Sequence, residues 1–410
     1  MKFLQVQTID IARQKLLNAA ADFLPTTEIV PLDMGLGRVL ATDIFVCEDL
    51  PHFNRSSVDG YALVASDTVG ASEGMPVFLT VSGSIEMGHT TDIVIKKGHA
   101  TYIPTGAIMP VGADAVVMVE YCEIFGDNEI AIYNTVAAGD HIVHIGEDAT
   151  SGQLLLKKGK RLTTTDIGAL AMTGTKDITV FLAPTICFVA TGDELISPHH
   201  SPLAPAKIRE TNNTTLSAQA KKHGYNPTQT LVFGDNENAI MAGVTAAMQK
   251  HDIVAISGGS SQGKKDKTAD IINKITNHGV FTNGIAMRPG KPTILAYDKP
   301  TKTLIIGLPG HPISALAVFE LLLGWLWRTL TNTTAPFPIP AKLSTNLPQS
   351  PGKTTFCPCA LVLNNNEYTA IPIHYKSALI ANITKADGYF LIDRDVEGLK
   401  KNDIVLVYIV

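Results

Sequence analysis

Hydrophobic positions change rhythm along the chain. Ile9, Ala12, Leu16, Ala20 and Phe23 recur at helical spacing behind Thr8, with Asp10 in the first turn and Pro25 just after, which predicts a capped amphipathic helix. From about 49 to 148 the apolar runs become short and β-branched (77–81, 93–95, 115–119, 130–133). Gly, Pro, Asp and Asn separate them, so this stretch reads as a β-rich domain. A second helix is predicted over 165–173, capped by Thr164 or Thr165 and ended by Gly174. Between 185 and about 331 the pattern becomes strand, loop and helix in repetition. Strands fall at 186–190, 231–233, 253–256 and 304–306, and helices at 213–223, 238–251 and 315–327. That alternation predicts a parallel sheet with helices on both faces. The Thr-, Pro- and Asn-rich stretch 331–340 reads as a linker. Beyond it, 360–363, 368–373, 389–392 and 404–410 read as strands of a small β-domain.

Composition narrows the classes. A chain of 410 residues can build about two to four cores. With 45% hydrophobic and 17% charged residues, a disordered solvating chain is excluded. The net charge of −5 gives no global attraction to nucleic acid. The 5 cysteines are odd in number and mostly isolated, against a disulfide framework, and Cys357-Pro358-Cys359 lacks the second pair that a zinc site needs. Asp10, Arg13 and Lys15 interrupt any export-signal core, and the run 315–327 contains Glu320 and falls short of the roughly 20 residues that span a bilayer. The expected address is cytoplasmic, with no membrane or nucleic-acid partner.

Ligands of open parallel sheets bind beyond the carboxyl ends of the strands. Asp193 and Glu194 follow the first strand, Asp235 follows the second, and Asp266 follows the glycine-rich turn 258–263. Carboxylates suit a hard divalent cation, and glycines let backbone N–H groups approach an anion, so these loops suggest a metal–polyphosphate or nucleotide site. Each acid by itself reads more readily as a cap or turn residue. Neither a P-loop lysine nor a GxGxxG fingerprint accompanies the glycines. Arg288-Pro289-Gly290-Lys291 adds two cations on a stiff turn, suited to a small oxyanion or to plain solvation. His311 reads as a turn or capping residue.

The strings Ser-Ser-Val-Asp-Gly-Tyr-Ala at 56–62, the loop 104–120, Gly146-Glu147-Asp148, Thr191-Gly192-Asp193-Glu194-Leu195, the segment 257–266, Arg288 to Pro292 and the segment 307–315 together resemble the MoeA family of molybdopterin molybdenumtransferases, related to gephyrin. The resemblance covers nearly the whole chain. It implies a multidomain α/β plus β fold: a helical segment from 1–48 with 149–178, a β-rich inserted domain at 49–148, a MoaB/Mog-like α/β molybdopterin-binding domain at 179–330, and a C-terminal β-barrel at 336–410. It implies a homodimer in which the β-rich domain faces the partner's α/β domain. The implied reaction converts molybdate and adenylyl-molybdopterin to Mo-molybdopterin and AMP with Mg2+.

Residue by residue, the resemblance assigns catalytic roles to Asp59, Thr105, Asp148, Glu194, Asp235 and Asp266, the last three also as metal ligands. Molybdopterin-AMP would contact Gly258, Gly259, Ser261, Gly263, Pro309, Gly310 and Pro312. Molybdate would contact Arg288, Lys291, Ser314, Lys353 and Ser377. The molybdopterin adenylyltransferase and apo-molybdoenzymes are implied as further partners. His311 stands where the family usually has Asn, Lys267 replaces an aromatic, and Lys353 replaces an arginine, which keeps charge but loses the bidentate fork. Other readings are a divergent paralogue, tungstate-selective or adenylylating, and a gephyrin-like scaffold.

Overall fold

A computed structural model describes residues 6–20, 25–258, 265–349 and 351–410, with backbone alone at 265–267. The chain divides into two compact units, one of 43–157 with 165–176 and the other of the remainder.

The smaller unit is built on a six-stranded sheet in the spatial order Ala115–Met118, Gly60–Leu63, His99–Ile103, Val77–Ser84, Glu129–Ile132 and Cys122–Phe125. Gly60–Leu63 is buried throughout, so it shows no alternation from which a strand could be read. The expected strand at 93–95 makes only one bridge, Val94 to Val111; the lysine pair and glycine that follow it turn the chain away. Tyr61, Leu63, Leu79, Val117 and Ile132 form the core beneath the sheet. Helix α2 (Thr164–Met172) begins at the junction of the two units.

In the larger unit Thr8 caps α1 (Ile9–Ala19) through its side chain, which accepts from Ile11 N. Strands Thr27–Pro31 and Asp177–Phe181 pair as an antiparallel ladder. The central sheet runs Asn226–Phe233, Thr185–Thr191, Ile253–Gly258, Thr303–Leu308, Ile294–Asp298 and Val280–Asn283. Its first four strands are parallel, as expected, but Ile294–Asp298 runs antiparallel to both of its neighbours, Thr303–Leu308 and Val280–Asn283. The short turn from Asp298 to Thr303, with Lys302 at φ 54°, leaves no room for a crossover helix, so this edge returns as a hairpin. Along Thr185–Thr191, Ile186 and Phe188 face one apolar layer while Cys187 and Val189 face the other. The first layer includes α1, α3 (Asn212–His223) and the helix opened by α6 (Pro312–Phe319); the second includes α4 (Glu237–Met248) and α5 (Lys265–Ile275). Both faces are therefore covered.

The apolar helix is longer than 315–327 suggested. It runs Pro312–Thr331, passing from α6 through a wider turn at Glu320–Gly324 into α7 (Trp325–Thr331). Its length and apolar content meet those of a membrane span, yet 72% of its most apolar window is buried within the chain, as befits a core helix. The wide turn presents Glu320 to a buried network. His223 Nε2 lies 2.6 Å and Gln219 Nε2 2.7 Å from Oε2, Tyr389 OH donates to Oε1 at 3.3 Å, and Arg328 Nη1 stands 3.7 Å from Oε1. The carbonyl ends of α3 and α7 are finished by Gly224 and Asn332, both left-handed.

The C-terminal strands close into a barrel. Thr354–Asn364 pairs with Glu367–Pro372 on one edge and Gly388–Ile392 on the other, and Ile339–Leu343 and Ile404–Ile409 complete the ring. Cys359 is fully buried inside it and Cys357 partly so; burial pushes both thiols up to about 12, the state of inert core cysteines.

Glu320 yields a pH prediction. Burial raises its carboxyl, but the His223 bond and the His223 and Arg328 charges outweigh that and hold it below its ordinary 4.5. The stabilisation is then complete above that pH and lost as pH falls through the lower native value. Glu320→Gln should cost about 3 kcal/mol at pH 7 in urea unfolding, and the gap to wild type should narrow below pH ~4.

Candidate functional site

Register brings the chemistry together. Thr191 lies opposite Phe233 on one neighbour and Gly258 on the other, and Ser257 lies opposite Leu308, so four strands end at one level. A cavity of about 670 Å3 opens beyond them. Glu194, Asp235, Gly258, Gly310 and Pro312 of the expected set line it. The Glu194 carboxylate folds back over Gly192, where a Cβ would sit 2.7 Å from both oxygens. Asp193 serves the loop instead: its Oδ1 accepts from Asp235 N at 2.8 Å and so fixes one acidic loop beside the other. Gly259, Ser261 and Gly263 lie outside the described residues, as does the side chain of Asp266, whose backbone begins α5. Pro309 is buried just before the cavity residue Gly310.

Sequence reasoning missed a wall of this cavity. Arg209 and Glu210, just ahead of α3, and Asn212, its first residue, line it, and Ser257 lines it from a strand end. Glu210 is 4% exposed and accepts from Asn213 N at 2.9 Å. Burial raises its carboxyl despite the N–H bonds from Asn213 and Asn212. Asn212 Nδ2 donates to Gly310 O at 2.9 Å, which ties α3 to the Gly310 loop, while Asn212 Oδ1 and the Ser257 hydroxyl, both buried, have no partner among the described residues. Orphaned buried polar atoms at a cavity wall are sites for a ligand's hydrogen bonds. Their available signal was position: all flank the strand ends or the helix that follows the Glu194 loop.

The expected oxyanion residues fall into two neighbouring groups. Arg288, on Met287–Arg288, adds in parallel to Thr354–Thr355 of the barrel, directly after Lys353, and its charge reaches Cys357 and Tyr375. Lys291 is exposed on the same turn, its carbonyl held by Ile285 N and Thr293 N. Ser377 belongs to the second group: its carbonyl accepts from Ile313 N at 3.2 Å and its hydroxyl lies 2.7 Å from His311 Nδ1. His311 is indeed the N-cap position of α6, and its ring latches the barrel segment carrying Ser377 to that helix. Ser314 is buried at 4% exposure in the first turn of α6. Ala378 and Ile380, just past Ser377, reach the cavity wall.

The remaining expected residues belong to the smaller unit. Asp59 and Thr105 meet there, Asp59 Oδ1 accepting from Thr105 N at 2.8 Å, and both are exposed. Asp148 is exposed on a loop whose amide donates to Leu50 O at 3.0 Å.

The larger unit is thus an open α/β layer whose strand-end cavity is walled partly by a β-barrel, the class of fold that binds phosphorylated ligands at the carboxyl edge. Three family models match in order: MoeA N-terminal region (domain I and II) over 7–174, "Probable molybdopterin binding domain" over 187–328, and MoeA C-terminal region (domain IV) over 340–410. The molybdopterin molybdenumtransferase of Bacillus subtilis is 32% identical over 94% of this chain and 90% of that protein; the enzyme of that name from Staphylococcus epidermidis is 32% identical over 92% and 89%. A crystal structure of the molybdopterin biosynthesis MoeA protein from Pyrococcus horikoshii matches with a TM-score of 0.83 at 29% identity, covering 99% of this chain and 100% of that one. The chain belongs to the MoeA family.

The buried Glu210 should be held against stability. Because its native carboxyl is raised, the native state loses stability as pH rises above the unfolded value. Glu210→Gln should match or exceed wild type by up to about 1 kcal/mol at pH 7 in urea unfolding, the difference vanishing below pH ~4.

Proposed function

We infer that this chain is a molybdopterin molybdenumtransferase of molybdenum cofactor biosynthesis, taking molybdate and adenylyl-molybdopterin to Mo-molybdopterin and AMP. One observation carries the reading: Glu194 and Asp235 share a strand-end cavity with the start of α6 and the orphaned groups of Ser257 and Asn212. Glu194 and Asp235 would repel a pyrophosphate brought beside them unless a cation stood between, while Arg209 on the same wall adds one positive charge.

The residues present fit magnesium. Two carboxylates on adjacent strand-end loops leave coordination positions for phosphate oxygens and water, the usual magnesium arrangement. Glu194 and Asp235 would hold the ion, joined in this reading by Asp266, and when bound it would neutralise charge on the pyrophosphate and departing AMP. No group of three or more potential ligands gathers among the described residues, which do not include the Asp266 side chain.

The chain's own groups supply positioning. The first turn of α6 offers a positive dipole to the pterin phosphate, and Ser257 and Asn212 can satisfy polar edges of the ligand. Arg288, Lys291 and Lys353 would orient molybdate through charge-assisted hydrogen bonds. Ser377 can join them once its hydroxyl is shared with or released from His311. Asp59, Thr105 and Asp148 act in the same reading as the contribution of the smaller unit, within a homodimer.

Purified protein with adenylyl-molybdopterin, molybdate and Mg2+ should release AMP, and Asp235→Asn should lower that rate about 10²-fold with the fold intact. Wild-type protein without AMP release, or Asp235→Asn at wild-type rate, contradicts the reading. Lys291→Ala should raise the molybdate concentration for half-maximal rate, more so with added salt, while leaving dependence on the pterin nucleotide nearly unchanged.

A further inference from the structure

A second cavity of about 600 Å3 shares no lining residue with the first. Glu28 and Phe181 line it from the antiparallel ladder, Lys221, Gly224 and Tyr225 from the end of α3, and Arg38, Arg161 and Trp327 complete its polar wall. Its charges do not balance. Arg38 pairs with Glu28 and donates to Phe181 O at 3.1 Å, so that pair is satisfied. Arg161 makes one hydrogen bond, from Nη1 to Gly37 O at 3.2 Å, and no carboxylate pairs with it among the described residues. Burial and then the like charge of Arg328 hold its guanidinium below its ordinary value, the situation of a cation lacking its counter-ion.

Two donors converge on one spot. A Cβ on Gly224 would lie 2.9 Å from Trp327 Nε1 and 3.1 Å from Arg161 Nη2, and Gly224, at φ +88°, leaves that space open. Trp327 is 3% exposed and its indole N–H is buried without an acceptor among the described residues. Lys221 on the same wall complements the carbonyl end of α3, which explains a lysine there but neither the uncompensated Arg161 nor the orphaned indole. A buried N–H, a planar guanidinium and an ammonium around one cavity match a tetrahedral oxyanion. Leu36, Val39 and Leu182 supply apolar walls for an attached organic body.

We propose that this cavity is an oxyanion-binding site, separate from the strand-end cavity, for a phosphate group held by Arg161, Lys221 and the Trp327 indole N–H. The protein holds 2 tryptophans, Trp325 and Trp327, so a Trp325→Phe chain reports from Trp327 alone. Its fluorescence should change saturably with inorganic phosphate and with phenyl phosphate at fixed ionic strength. In that background Arg161→Gln should raise the midpoint tenfold or more, Lys221→Gln severalfold, and Arg288→Gln not at all. A lower midpoint for phenyl phosphate assigns the phosphate to an organic ester; equal midpoints assign it to the free ion. The proposal is overturned by a folded Trp325→Phe chain that gives no saturable response, or by loss of the response in Arg288→Gln. An unchanged midpoint in Lys221→Gln, an exposed position that folding tolerates, overturns it equally should Arg161→Gln fail to fold.

Discussion

Thr191 is flanked by Phe233 and Gly258, and Ser257 by Leu308, and the strand-end cavity of the larger unit depends on that alignment. A one-residue slip of Thr185–Thr191 would exchange Phe188 and Val189 between two apolar layers that differ in volume and in the helices supplying them. It would also carry the Glu194 loop away from the Asp193–Asp235 bond that holds the two acidic loops together. Core packing on both faces thus fixes the height at which the acids stand.

The remaining walls are held to that level by polar ties between parts distant in sequence. Asn212 reaches Gly310, Ser377 grips Ile313 and His311, and Met287–Arg288 is stitched to the barrel strand. Beneath them Glu320 joins α3, α7 and the barrel through His223, Gln219, Arg328 and Tyr389. A buried charge is tolerated there because its lone pairs are taken up, and removing one partner leaves the rest uncompensated. The barrel is consequently part of the cavity wall.

Much of this was legible in the sequence where one physical cause dominates. The doubly buried strands read as β-branched apolar runs, and Thr8 and Gly224 marked helix ends by capping chemistry. Glu194 and Asp235 stood out as short acidic tails after such runs. The antiparallel edge at Val280–Asn283 and Ile294–Asp298 was not legible, since hairpin return depends on turn length more than on hydrophobic pattern. No local pattern marks Glu210 or Ser257; burial of a carboxylate at the cavity wall distinguishes the first, and a buried hydroxyl without a partner among the described residues the second. The pairing of Arg288 with Thr355 rests on a ladder between distant segments, which no local pattern announces.

In the proposed function the pterin nucleotide would occupy the strand-end cavity of the larger unit. Hydrogen–deuterium exchange with and without adenylyl-molybdopterin and Mg2+ tests it directly. Slowed exchange is expected at 191–195, 209–213 and 310–314, with exchange at 37–39 and 221–226 unchanged. Protection confined to the second set of segments, or absent from the first while the nucleotide is bound, would contradict it.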